Sequence, residues 1–99
     1  MPSRERSVPD DPRTFTYRAD VLRDLVRHGV RPTEHTPPGI VRDFVRDLYK
    51  YEIRALRERY LRREFPKQEY AERVDALRRR YNVLALHAWQ FVENYNPNS

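Results

Sequence analysis

Few residues in this 99-residue chain have types and spacings that could do chemistry, and they are carboxylates, histidines and arginines. Asp20 and Asp24, and again Asp43 and Asp47, stand four apart, which places two carboxylates on one helical face. Paired carboxylates can share a proton for acid–base work. Here each pair is interleaved with cations, Arg23 and Arg27 or Arg42 and Arg46. The pattern therefore reads as solvated faces carrying i, i+3 ion pairs, each contributing only about a few tenths of a kcal/mol. Glu52 is different. It falls in the middle of an apolar arc, where a lone charge is costly. It either lines a site with a shifted pKa or pairs with a cation, and its expected partner is Arg78, in a buried ion pair.

His28, Glu34 and His35 are the nearest thing to a metal set, but their spacing is not the helical i, i+4 pair and fits no recognised ligand pattern. The serines are Ser3, Ser7 and Ser99, all terminal, and the glycines are Gly29 and Gly39, too few for a phosphate-cradling loop. No enzyme activity, metal or cofactor is expected. The remaining chemical signal is basic. Of 20 basic residues only Lys50 and Lys67 are lysine, and the net charge is +5. Arg54, Arg57, Arg62 and Arg63, with Arg79 and Arg80, form a candidate polyanion surface whose binding would weaken steeply with salt. Fifteen interleaved acids favour solvated helical faces instead.

Composition sets the frame that must hold these residues. With 38% hydrophobic and 35% charged residues and no cysteine, the chain has neither disulfides nor thiolate metal sites and little apolar material to spare. At this length one core is marginal, so self-association, as a homodimer, is expected. No apolar run reaches the roughly 20 residues of a membrane span, and the start lacks a signal peptide's apolar stretch. A cytoplasmic protein without membrane contact is expected.

The elements follow from periodicity and punctuation. Residues 1–13 carry Pro2, Pro9 and Pro12 among charges and read as flexible, as does the 96–99 tail, with one domain over 14–95. "TYRADVLRDLVRHG" places Tyr17, Val21, Leu22, Leu25 and Val26 at helical spacing and stops at Gly29, a left-handed C-terminal cap. Thr36 reads as the N-cap of a second helix with Pro37 at its first position, running to about Arg63. The seven-residue connection and the length of this helix argue against a DNA-reading helix-turn-helix.

Apolar residues then mirror each other about Phe65: Tyr60 with Tyr70, Leu56 with Val74, Ile53 with Leu77, Tyr49 with Tyr81, Val45 with Ala85. Residues equidistant from a turn meet when two helices fold back antiparallel. The third helix starts at Lys67 and either continues through Asn94 or breaks near Asn82, leaving residues 86–93 as a separate short helix. The second helix is also apolar on a neighbouring face through Ile40, Phe44, Leu48, Tyr51 and Ala55. So wide an arc needs two neighbours, the first helix and a second chain.

Residues 56–77, "LRERYLRREFPKQEYAERVDAL", resemble the short helix-turn-helix module called SHOCT, found at bacterial protein C-termini. Phe65, Pro66, Glu69, Tyr70, Val74 and Leu77 match its slots, while Arg63 stands where the pattern has glycine. The whole chain also resembles small bacterial proteins. The resemblance implies oligomerisation or interaction rather than catalysis.

The expectation is an all-α protein: a short N-terminal helix packed on a long antiparallel helical hairpin, three or four helices in all. It serves as a non-catalytic interaction or oligomerisation module for an unknown protein partner. The competing reading is nucleic acid or another polyanion on the arginine surface.

Overall fold

A computed structural model describes residues 14–94; the segments expected to be flexible, 1–13 and 96–99, lie outside them. The described chain is all-α: α1 (Ala19–Val26), α2 (Pro38–Leu61) and α3 (Lys67–Arg80), followed by two single-turn 3-10 helices, Asn82–Ala85 and Ala88–Phe91.

The third helix breaks at Asn82. Tyr81 leaves helical geometry at φ −107° and the chain folds into the two short turns. That bend lets Val83, Phe91 and Val92 enter the core with Tyr17, Val21, Leu25, Val41 and Val45. Nearer the α2–α3 turn, Leu56, Phe65 and Leu77 are buried. The two long helices meet at two heights: the Tyr60 ring stacks on Tyr70 at 4.4 Å, and Tyr49 meets Tyr81 edge-on at 5.4 Å. The outermost mirrored pair fails. Val45 is buried but Ala85, beyond the break, is exposed.

The first helix is shorter than its apolar spacing suggests. Arg18 is extended at ψ 141°, and Tyr17 forms an antiparallel bridge with Val92. The bridge clamps the two ends of the domain. The Arg18 N–H donates to the Phe91 carbonyl (2.9 Å), the Glu93 N–H to Thr16 (2.8 Å), and the Asn94 side chain bonds Thr14 and Thr16. These bonds satisfy backbone groups that a longer helix would have satisfied internally.

α2 starts one residue later than expected. Thr36 is not its side-chain cap. The Thr36 hydroxyl instead accepts the Thr33 N–H (3.0 Å), and its carbonyl accepts the Tyr17 hydroxyl (2.5 Å). Pro37 takes the cap position and Pro38 the first turn, so two of the donors a helix start leaves unpaired do not exist.

α1 and α2 end in the same way. Gly29 at φ 74° follows α1, with the Gly29 N–H bonded to Val26 O and the Val30 N–H to Leu25 O. Arg63 at φ 62° follows α2, with the Arg63 N–H bonded to Tyr60 O and the Glu64 N–H to Arg59 O. Both are Schellman endings, whose left-handed residue is ordinarily glycine. In the second, Glu64 adds an ion pair to Arg59 (2.8 Å) where an apolar contact usually sits.

Candidate functional site

Glu52 lies at the junction of α1, α2 and α3. Its side chain is 34% exposed, so it is not a buried charge, and it accepts a hydrogen bond from the Tyr81 hydroxyl. Its ion-pair partner is Arg80, at 3.6 Å, and not Arg78. Helical geometry explains the correction. Leu77 points into the core, and Arg80 and Tyr81, three and four residues on, share its side of α3. Arg78, about 100° round the helix, points to solvent.

Tyr81 is 4% exposed, and burial, with the Glu52 carboxylate second, pushes its phenol up to about 12. The phenol therefore stays a donor at neutral pH. The His28 ring stacks on Tyr81 at 4.1 Å, and its Nε2 donates to the Arg80 carbonyl at 2.8 Å. The end of α1 thus satisfies a carbonyl that the end of α3 leaves open. Sequence reasoning placed His28 in a last helical turn but carried no signal for this contact with residues more than fifty positions away.

Arg42 was another unforeseen tie. Instead of pairing with an aspartate, its guanidinium forks onto the carbonyls of Leu86 and Leu84, both at 2.7 Å. Arg18 likewise reaches Gln90 O at 3.0 Å. Arg27–Asp24 (3.8 Å) and Arg46–Asp43 (3.2 Å) are the expected i, i+3 pairs.

The six arginines of the candidate polyanion surface do not share one face. Arg62 pairs with Glu64 (3.0 Å) and Arg80 with Glu52. Arg54 and Arg57 are on the solvent side of α2, Arg79 is opposite Leu77 on α3, and Arg63 is in the turn. Near that turn Arg59 and Arg73 flank the Phe65 ring at 5.3 and 4.6 Å. Each also holds an acid: Arg73 pairs with Glu69 at 2.6 Å, and the bond from Arg59, with Arg62 second, keeps the Glu64 carboxyl below its usual range.

One face of α2 remains open. At 100° per residue, Ile40, Phe44, Leu48, Tyr51 and Ala55 fall within a wedge of roughly 80°, about a quarter turn from buried Val41, Val45 and Leu56. Ile40 is 62% exposed, Phe44 52% and Tyr51 69%. Ala55 is exposed as well, while Leu48 is half-buried and packs against the core cluster. At its N-terminal end the wedge meets a 210 Å³ hollow against Val30 and Pro32. At its other end Tyr51 and Ala55 form one wall of a 430 Å³ groove, with Ala76 and Arg80 across it.

Among the described residues no three His, Cys, Asp or Glu side chains come together to hold a metal, and no helix is long and apolar enough to cross a membrane. Compared with family models, curated proteins and solved structures, the chain finds no match.

Proposed function

We propose that this chain is a non-catalytic interaction module of the cytoplasm, a scaffold that presents the outer face of α2 to a partner helix. In this reading α2 and α3 are an antiparallel hairpin, α1 packs at its open end, and the likeness of residues 56–77 to the SHOCT module reflects shared use. The observation that carries it is the apolar wedge: Ile40, Phe44 and Tyr51 are all more than half exposed on one helix. Contiguous apolar side chains left in water mark interaction sites, and positions spaced by three and four suit helix-in-groove docking. The Glu52–Tyr81–His28 cluster supports the same reading, since a phenol held protonated and capped by stacking serves to join elements.

Photocrosslinking in cells tests the proposal. A benzophenone side chain at position 44 or 51 is expected to capture protein, and one at position 50 or 57 is not. No adduct from the wedge, or equal adducts from all four positions, overturns the reading.

A second reading has its own observation. Arg54, Arg57, Arg63 and Arg79 have no hydrogen-bond or ion-pair partner among the described residues. These free cations suit a polyanion held by charge alone. Anisotropy of labelled duplex and single-stranded oligonucleotides at low and physiological salt discriminates. Binding that persists at physiological salt and is lost on Arg54→Ala/Arg57→Ala moves the function to nucleic acid.

A further inference from the structure

We propose that the occupant of the α2 wedge is a second copy of this chain, with α2 lying antiparallel against α2; the inference rests on the interaction-module reading. Phe44, Leu48, Tyr51 and Ala55 are spaced four, three, four, the seam of a two-heptad coiled coil; Phe44, Tyr51 and Ala55 are exposed, and Leu48, half-buried, forms the edge of the seam nearest the core. An antiparallel seam pairs each residue with the one equidistant from the twofold axis. With the axis near residue 50, Phe44 meets the other copy's Ala55, and Leu48 meets its Tyr51. Each layer thus sets a larger side chain against a smaller one, as close packing requires.

The flanking charges select the same direction. Asp47 and Arg54 border the seam, are both exposed, and have no ion-pair or hydrogen-bond partner among the described residues. In the antiparallel register Asp47 of each copy faces Arg54 of the other, so the pair occurs twice. A parallel pairing instead sets Asp47 beside Glu52 and Arg54 beside Arg59, two like-charge contacts. The seam is about 17 Å long at 1.5 Å per residue, so the dimer is reversible and in the small class of interfaces.

The sign of these pairs gives a test that composition alone does not. In D47R both flanking positions are cationic and self-pairing is repulsive; in R54D both are anionic. Mixed together, the two variants form a heterodimer with two attractive contacts. Sedimentation velocity of the full chain across about 5–200 µM spans the range of a small reversible interface. It is expected to show mass rising from 12.1 kDa toward twice that value. Each variant alone is expected to self-associate about tenfold more weakly, and their equimolar mixture to return to the parent's behaviour. Circular dichroism checks that each variant stays helical. Ala55→Glu, at an exposed position, gives an independent route to the single chain.

A parent chain that stays single at the highest concentration overturns the proposal, as does an adduct from position 44 only within one chain. A mixture no stronger than its components overturns the antiparallel register. If the parent is single but position 44 still captures another protein in cells, self-pairing fails and the interaction module stands; if nothing is captured, both fail.

Discussion

Arg63 and Gly29 do the same backbone job with opposite side-chain cost. A left-handed residue with a Cβ is disfavoured by about 1 kcal/mol relative to glycine. Arg63→Gly is therefore expected to raise stability by about 0.5–1 kcal/mol, read as a higher urea midpoint at unchanged slope. Gly29→Ala is expected to lower it by about 1 kcal/mol through φ alone, because nothing lies within 4 Å of an added Cβ. The tyrosines set an alkaline limit. Tyr17 and Tyr81 are both pushed up from the ordinary 10.0 to about 12, chiefly by burial. A folded pKa above the unfolded one adds stability that is complete below about pH 10 and is lost as pH rises toward 12. Denaturation followed against pH should show a plateau to about pH 9 and then a fall, smaller in Tyr81→Phe than in the parent. A curve that does not change between the two proteins would remove Tyr81 from this role.

At the scale of elements, arginine holds the C-terminal segment. Two 3-10 turns leave carbonyls without helical partners, and Arg42 takes two of them from α2. Arg42→Ala is expected to cost about 2 kcal/mol, and Arg42→Lys to recover only part of this because an ammonium lacks the planar fork. Thermal melts of the three proteins check the order. This is also where the sequence was least legible. Steps of three and four correctly paired Tyr60 with Tyr70 and Tyr49 with Tyr81, since periodicity on either side of a proline turn encodes both face and height. It missed Tyr17, whose spacing to Val21 is helical although the residue sits in a bridge, because a two-residue clamp has no period to read. It misassigned Glu52 for a related reason: mirror arithmetic gives height along the helix, and the choice among Arg78, Arg79 and Arg80 depends on rotation about α3. The start of α2 moved by one residue because two successive prolines offered two valid registers.

For the whole molecule, α2 has two faces with different tasks. Val41, Val45 and Leu56 close the core, and the wedge through Phe44 and Tyr51 is left in water by a chain with little apolar surface to spare. The expected breadth of the apolar arc is present. Leu48, at its inner edge, packs against the cluster that holds Val21 and Leu25 of α1, while Ile40, Phe44 and Tyr51 stay more than half exposed. Removing a wedge side chain should therefore leave the fold intact. Phe44→Ser is expected to shift the melting temperature of the dilute chain by less than about 2 °C, whereas Val45→Ser should unfold it or nearly so.

The pairing of α2 with its own copy can be observed residue by residue in backbone amide NMR spectra of the labelled chain on dilution, from about 1 mM to about 20 µM, a span that brackets weak association. Self-pairing gives progressive shifts at Phe44, Asp47, Leu48, Tyr51, Arg54 and Ala55, with Lys50, Arg57 and α3's Arg78 and Arg79 unmoved. Spectra that superimpose across that range, or shifts that gather on Arg57 and Arg79 instead, would contradict it.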